Sequence, residues 1–370
     1  ERDITGFMGR VDYDFDWGTF TSITAYREAD AIIDVADVSQ ELSSLILSSP
    51  TAVAGDSNIP GANNTFRDES EQISQEFRLT SAGDGMFDWV GGLYFLREEI
   101  TRVESFDLGF NLSDGAGGTI QVLPPSTGSS FMENETQGYA VFGQVTWNLS
   151  DRLGITVGGR YTDEEKKADT LSVAGGFLIL ESFDVNAKGS WSEFTPKFAI
   201  DFQLNDDIFF YGVATNGFKS GGFQGSPPVE RTATDPYNEE TAWLYEIGAK
   251  TEWLDNRLRL NLALFQTDYE DLQVFQLLVP ENAPDGTPGV LTAQNAADAE
   301  IAGVEFEFIV APIEGLMFSG SYTYLDATYK SFEAPEGFRT PGGVDPTLRE
   351  GTRLRNAPEH AFNLLAVYEW

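Results

Sequence analysis

Alternation of apolar and polar residues is clearest at residues 138–162, which read GYAVFGQVTWNLSDRLGITVGGRYT. Before the central Ser150-Asp151 pair, one set of alternate positions is apolar or aromatic: Tyr139, Val141, Val145, Trp147 and Leu149. After the pair, the same alternation returns from Leu153 to Tyr161. A period of two residues is typical of a β-strand with two different faces, and a polar pair between two such runs is typical of a tight turn. Residues 138–162 therefore predict a β-hairpin with one apolar face and one polar face.

The same alternation recurs along the chain, for example from Phe7 to Phe15 and from Val304 to Phe308. We count about 13 such runs of roughly 10 to 14 residues, about twice the usual strand length in soluble proteins. A strand of about 12 residues tilted by about 45° crosses roughly 28 Å, which is close to the apolar band of an outer-membrane barrel. The sequence therefore predicts an all-β fold, a transmembrane antiparallel β-barrel.

Connections between the runs alternate between short turns and long polar stretches. Short turns such as Asn205-Asp206-Asp207 and Asp255-Asn256 fall at every second junction. Between them we predict long loops rich in Gly, Ser, Asn and Pro at about residues 31–70, 102–134, 167–190, 218–241, 270–298 and 329–359. This asymmetry is typical of outer-membrane barrels, whose short turns face the periplasm. Trp147 and Trp253, near the ends of runs, predict aromatic girdles at the membrane interfaces.

Composition restricts the possible functions. The chain has 370 residues, a formal charge of −36, no Cys and a single His, His360. The lack of Cys excludes disulfides, thiol nucleophiles and Cys-based zinc sites, and we expect a structural role for His360. Acidic clusters such as Asp163-Glu164-Glu165 could hold Ca²⁺, although solvated loop tips fit their spacing better. Because the negative charge repels phosphate backbones, nucleic acid is not an expected partner. We predict no enzyme activity, no resident metal and no cofactor.

Residues 216–223, which read NGFKSGGF, resemble the strand-to-loop motif of TonB-dependent outer-membrane receptors. Further stretches follow that family's order and spacing, among them YEIGAK at 245–250, YEDLQ at 269–273, Asn295-Ala296 and NAPEH at 356–360. These motifs cover residues 208–370, and the earlier part of the chain agrees at the level of its hairpins. Any one motif alone is weak evidence for the family, but the motifs occur together in the family's order and spacing, which makes the resemblance specific.

The resemblance implies a barrel of about 22 strands, an N-terminal plug and a short segment that engages the TonB energy-coupling complex. No plug-like α/β region occurs in this sequence, and Trp370 lies where the pattern predicts the middle of a strand. We therefore interpret residues 1–370 as one partial barrel domain, roughly strands five to seventeen of that barrel, without the plug and the last strands. The resemblance also implies that outer-membrane lipid and lipopolysaccharide surround this domain.

Active import of a scarce small molecule across the bacterial outer membrane is the function that the resemblance implies, with a ferric siderophore as the first expectation. A passive general porin of about 14 to 16 strands shares the long strands, polar lumen and short turns. It should conduct steadily in planar bilayers, whereas a plugged receptor should be nearly closed. A secreted β-rich adhesin or glycan-binding protein is the third hypothesis, and it predicts release into the aqueous fraction.

Candidate ligand-binding residues lie in the predicted outer loops. The aromatic candidates, whose rings can stack on a ligand, are Phe218, Phe223 and Phe338. The cationic candidates, whose guanidinium groups suit carboxylate oxygens, are Arg339, Arg349 and Arg353. Alternatively, these Arg side chains pair with Asp and Glu of neighbouring strands, which fits the general weakness of isolated loop charges better.

Overall fold

The structure, a computed structural model, describes residues 2–36, 63–83, 85–113, 119–175, 179–281, 290–334, 337–340 and 349–370. These residues form one antiparallel sheet whose strands are β1 (Arg2–Phe15), β2 (Gly18–Ala36), β3 (Asn63–Ser81), β4 (Phe87–Ser113), β5 (Thr119–Ser150), β6 (Leu153–Val173), β7 (Phe183–Asn205), β8 (Ile208–Lys219), β9 (Glu240–Trp253), β10 (Leu258–Pro280), β11 (Val290–Ile313), β12 (Leu316–Phe332), β13 (Phe338–Arg339) and β14 (His360–Tyr368).

Strand order in the sheet follows chain order from β1 to β12 and then β14, while β13 pairs with β10 beside this path. Removing β13 from the fourteen strands leaves thirteen in the path, which agrees with the count predicted from alternation. One short helix, α1 (Glu230–Thr234), lies between β8 and β9. Within the described residues, no helix is long and apolar enough to cross a membrane. The prediction of an all-β antiparallel fold is confirmed.

Short turns join the strands at one end of the sheet, at every second junction as predicted. They include Asp16-Trp17 between β1 and β2, Asp151-Arg152 between β5 and β6, and Asp206-Asp207 between β7 and β8. Because short turns of outer-membrane barrels face the periplasm, this end is the periplasmic end. The opposite end, to which β4, β5, β6 and β7 extend, is called the outer end below.

The two faces of the sheet differ in chemistry as the alternation predicts. On β5, Tyr139, Val141, Val145 and Trp147 share one face and are 43 to 54% exposed. On the opposite face, Thr136 and Ala140 are buried. The first face, called the lipid face below, is apolar and uncovered, as expected of a surface that meets acyl chains. The second, called the inner face, carries the polar side chains and a loop that packs on it.

Aromatic side chains border the lipid face at both ends. Near the periplasmic end, Trp17 stacks on Trp89 with ring centroids 6.0 Å apart, and Phe87 stacks on Trp147 at 5.9 Å. Toward the outer end, the ring centroids of Phe95 and Tyr139 are 5.3 Å apart. Trp147 and Tyr139 are separated by about 26 Å along the strand, or about 20 Å across a membrane for a tilt of about 40°. These two rows match the predicted girdles.

The strands are much longer than predicted, because β4 has 27 residues, β5 has 32 and β10 has 23. The predicted loops at 102–134, 167–190 and 270–298 were therefore wrong, since most of each segment is the outer half of a hairpin. Above the membrane neither face of a strand meets lipid, so the apolar alternation ends while the hydrogen-bonded ladder continues. Of the predicted loop at 31–70, residues 37–62 lie outside the described residues, and β2 and β3 occupy the rest.

Candidate ligand-binding site

Residues 220–239, called the inner loop below, leave β8 after Lys219 and return to the sheet at Glu240. Two backbone hydrogen bonds close the loop on itself, since the N–H groups of Gly222 and Tyr237 each donate to the carbonyl oxygen of the other residue at 3.0 Å. The loop contacts side chains of β4, β6 and β7 and the backbone of β11. It therefore lies across the inner face at the outer end.

A partly buried ion pair on β6 anchors the start of the inner loop. The ammonium group of Lys166 donates hydrogen bonds to the Ser220 hydroxyl and to the carbonyl oxygen of Gly221, both at 2.8 Å. It also pairs with the Glu164 carboxylate at 3.0 Å, and the two side chains are 17% and 18% exposed. The Ser220 hydroxyl donates to the same carboxylate. Charge-assisted hydrogen bonds that are shielded from water are among the stronger polar contacts in proteins.

Aromatic packing holds the next part of the loop. Phe223 meets Trp191 of β7 edge to face, with ring centroids 6.2 Å apart, and both rings are buried together with Ala168. The Lys166 ammonium lies 5.7 Å from the centroid of the Trp191 ring. A side chain on Gly221 would overlap the Tyr237 carbonyl oxygen and the Trp191 indole, so this position requires glycine. These contacts explain the GGF part of the NGFKSGGF motif.

The middle of the inner loop is bound to the sheet on both sides. The Gln224 side chain donates to the Ala293 carbonyl oxygen at 2.6 Å and accepts from the Ala293 N–H at 3.0 Å. This pair of bonds resembles the pair that the backbone of a neighbouring strand makes in an antiparallel sheet. The Ser226 hydroxyl donates to the Glu104 carboxylate of β4. The loop thus connects β11 with β4 across the inner face.

Two residues of the family-like motifs hold the ends of the inner loop. The Asn295 amide donates to the carbonyl oxygens of Asn238 and Glu239 at 3.0 and 3.1 Å. The Gln273 amide donates to the carbonyl oxygens of Ser220 and Asn238 at 3.0 and 2.9 Å. Both amides satisfy backbone groups that have no strand partner, so these motif positions support the loop's shape.

A cavity of about 510 Å³ lies between the inner loop and the sheet. Its aromatic lining consists of Phe106, Phe223, Tyr237 and Phe275. Its polar lining includes Arg102, Glu104, Gln224 and Ser226. Small-molecule sites usually enclose about 300 to 1,000 Å³ and combine apolar walls with a few polar groups, and this cavity has both properties.

The charges around the cavity are compensated. The Arg102 guanidinium donates two hydrogen bonds to the Asp68 carboxylate, both at 2.6 Å, and these bonds raise the pKa of Arg102. Burial raises the pKa of the Tyr237 phenol, which therefore stays neutral near pH 7 and can donate or accept a hydrogen bond. Among the described lining residues, Glu104 adds a negative charge. The charges of Arg102 and Glu104 balance, so the described lining offers mainly aromatic surface and neutral hydrogen-bonding groups.

The structure places the aromatic candidates in three different surroundings. Phe223 lines the cavity. Phe218 lies on β8 opposite Thr241, and alternation puts it on the lipid face with Phe210. Phe338 lies in β13 beneath the Arg231 guanidinium of α1, 5.4 Å from its ring centroid. These three rings are therefore not brought together.

The cationic candidates lie apart from the cavity lining. Arg349 stacks on the Phe332 ring at 4.9 Å, and Arg339 lies in β13 opposite Val279. Arg353 donates to the Leu325 carbonyl oxygen at 2.7 Å and lies 4.0 Å from the Asp326 carboxylate and 3.7 Å from the Glu359 carboxylate. For Arg353, the geometry matches the alternative in which Arg pairs with acidic neighbours. Near them, the His360 imidazole shares a hydrogen bond of 2.9 Å with the Tyr322 hydroxyl.

Three features together define an outer-membrane β-barrel. They are the long antiparallel strands, the lipid face bordered by aromatic side chains, and the polar inner face that carries a folded loop. The chain belongs to the TonB dependent receptor-like β-barrel family, whose model matches residues 2–370. This membership places the chain in the bacterial outer membrane and confirms the resemblance. It also favours the receptor hypothesis over the passive porin and the secreted adhesin.

Similar proteins are receptors and transporters. The pesticin receptor of Yersinia enterocolitica is 26% identical over 237 residues, which are 64% of this chain and 31% of the relative. The ferric yersiniabactin uptake receptor FyuA of Yersinia pestis matches 99% of this chain and 46% of its own, with 18% identity and a TM-score of 0.67. The siderophore receptor PiuA of Acinetobacter baumannii matches 99% and 52%, with 16% identity and a TM-score of 0.69. The chain thus spans about a third of the first relative and about half of the two solved receptors, whose likeness shows the fold.

Proposed function

We propose that this chain is the barrel part of a TonB-dependent importer that captures a ferric siderophore at the outer end of the barrel. The observation that carries the proposal is the aromatic cavity of about 510 Å³ beneath an inner loop that is fixed to the sheet on several sides. Family membership and the siderophore receptors among the similar proteins support it. The matched relatives are longer than this chain, so capture and import belong to the complete receptor.

In this proposal the barrel binds and releases its ligand without covalent chemistry. The rings of Phe106, Phe223 and Phe275 would stack on flat aromatic groups of the chelate, while Tyr237 would hydrogen-bond to an oxygen. A plug domain would close the lumen, and the TonB energy-coupling complex would displace it after capture. The polar inner wall, including Asp12 and Glu305, would face water or that plug.

Replacing Phe223 with alanine should weaken siderophore binding by about tenfold, because an aromatic anchor in a shielded pocket contributes about 1 to 2 kcal/mol. Binding is measured with a panel of ferric siderophores added to the purified full-length receptor, from the quenching of tryptophan fluorescence. The matched control is Phe218→Ala, which removes the same ring from the lipid face. Equal affinities of the wild type and Phe223→Ala would place the ligand elsewhere.

A further inference from the structure

The charges around the cavity beneath the inner loop restrict the charge of its ligand. Among the described lining residues, Arg102 and Glu104 carry opposite charges, and Tyr237 is neutral. The inner loop itself contains three carboxylates and one cation, Arg231. From the described residues, a ligand in this cavity therefore meets no excess of positive charge.

Arg102, the cation of the described lining, is held by its neighbours on three sides. The Asp68 carboxylate of β3 accepts hydrogen bonds from its Nε and Nη2 atoms, both at 2.6 Å. Its third nitrogen, Nη1, lies so close to Gly225 of the inner loop that a Cβ added there would be 2.7 Å away. The guanidinium also lies over the Phe66 ring, 5.5 Å from its centroid. An anionic ligand would have to displace Asp68 from a partly shielded pair with two charge-assisted bonds.

Two further cations at the inner loop are paired in the same way. Lys166 lies 3.0 Å from the Glu164 carboxylate and anchors the loop, so it cannot turn to a ligand without releasing the loop. Arg231 pairs with Asp235 at 3.0 Å.

The Glu104 carboxylate is a fixed negative charge at the cavity wall. Glu104 is 8% exposed, and its carboxylate accepts a hydrogen bond from the Ser226 hydroxyl. Like charges repel more strongly where water is excluded, because the local dielectric constant is lower. A strongly anionic ligand would therefore bind poorly beside Glu104.

Aromatic rings provide the main uncharged binding surface. Phe223 is buried against Trp191, whereas Phe275 of β10 is 70% exposed and has ring surface available for a ligand. Both rings line the cavity. Aromatic rings stack on other flat rings without any requirement for net charge.

The net charge of a ferric chelate depends on its donor groups. Three hydroxamate arms, each a monoanion, neutralise Fe(III). Three catecholate arms, each a dianion, leave the complex with three negative charges. Aryl groups on hydroxamate arms supply the same flat rings as catecholates, so the two kinds of chelate can be matched in size and aromatic surface and differ in charge.

We propose that the cavity binds electroneutral ferric chelates with aryl rings in preference to trianionic tris-catecholate chelates. Phe223 and Phe275 contact the rings. Asp68 is a positioning residue, because it holds the Arg102 guanidinium and neutralises its charge. This inference rests on the proposed siderophore function, which it narrows to one charge class.

The test compares two hexadentate ferric chelates on one tripodal scaffold, one with three N-phenylhydroxamate arms and one with three catecholate arms. Isothermal titration calorimetry on the purified full-length receptor in a non-ionic detergent gives both dissociation constants. The neutral chelate should bind at least about tenfold more tightly, because juxtaposed like charges are strongly unfavourable. Concentrated salt, which screens the repulsion, should narrow the difference.

Asp68→Asn should reverse part of this preference, because it removes a carboxylate and leaves the Arg102 charge available to an anion. The ratio of the trianionic to the neutral dissociation constant should fall at least about fivefold. Glu104→Gln removes a negative charge from the lining and keeps an oxygen for the Ser226 hydroxyl. It should lower the same ratio.

The matched control is Asp30→Asn. Asp30 pairs with Arg67 at 3.1 Å, and Arg67 precedes Asp68 on β3, so this pair lies on the opposite face of the sheet. Its ratio should equal that of the wild type.

Three results would overturn the charge preference. They are wild-type binding of the trianionic chelate as tight as that of the neutral one, no wild-type binding of the neutral chelate, and an unchanged ratio in both Asp68→Asn and Glu104→Gln. The siderophore function itself would fail only if the panel of ferric siderophores also did not bind.

Discussion

Leu262→Arg is expected to prevent stable assembly of the barrel, whereas Asn261→Arg, one residue away, should assemble normally. Leu262 lies on the lipid face of β10 between Ala249 and Phe306, at a level between Trp253 and Tyr245 of the neighbouring strand. An arginine on the lipid face near the middle of the bilayer costs about 2 to 4 kcal/mol. That is a large part of the net stability of a protein domain.

Asn261 is the matched control because its side chain faces the other way. Its amide lies on the inner face and donates to the Glu307 carboxylate at 3.3 Å. An arginine there would keep a carboxylate partner on a polar wall. Folded fractions are measured by heat-modifiable migration and by urea unfolding in lipid vesicles. Equal loss of folding in the two variants would contradict the assignment of the faces.

Lys166→Met should release the start of the inner loop and weaken siderophore binding by at least about tenfold. Hydrogen bonds to charged groups contribute about 1.5 to 3 kcal/mol each, and Lys166 donates two to the loop. The change also leaves the shielded Glu164 carboxylate without its cation, which adds to the cost. A free energy of about 3 kcal/mol corresponds to more than a hundredfold change in the equilibrium between bound and released loop.

Lys167→Met provides the comparison for this prediction. Lys167 follows Lys166 on β6 but lies on the opposite face, where its pairs with Glu135 and Glu165 are 3.8 and 3.6 Å long and exposed. Its removal should change siderophore affinity little. Limited trypsin digestion reports the loop directly, since release should speed cleavage after Arg231 in the Lys166→Met variant. Unchanged cleavage and affinity in that variant would show that Lys166 does not anchor the loop.

The sequence predicted the membrane part of the fold well because lipid demands one continuous apolar face. Runs such as Tyr139–Trp147 show this demand directly, and short turns such as Asp206-Asp207 mark the periplasmic end. The outer halves of the hairpins were missed because neither face meets lipid there. At the cross-strand pair of Lys167 and Lys188, for example, the ladder continues between two charged residues, and no period-two apolar signal remains.

The candidate site was predicted only in part. Phe223 was a candidate because it is an aromatic residue of a predicted outer loop, and the structure places it in the cavity lining. Trp191 was missed, although it breaks the polar side of the alternation in β7 and thus signals a covered patch on the inner face. Glu104 could not be predicted, because its partner Ser226 is 122 residues away in sequence and depends on the path of the inner loop. For Arg353 the structure matches the alternative that the sequence favoured, since the nearby Asp326 and Glu359 carboxylates compensate its charge.

An uptake assay with a radiolabelled ferric siderophore tests the proposed function most directly. It uses cells that carry the intact receptor gene and compares those with and without the TonB energy-coupling protein. Iron-limited growth with the same siderophore gives a second readout. We expect saturable uptake that is lost when the coupling protein is deleted and that falls in the Lys166→Met variant. Uptake that persists undiminished without the coupling protein would contradict active import and would favour a passive pore.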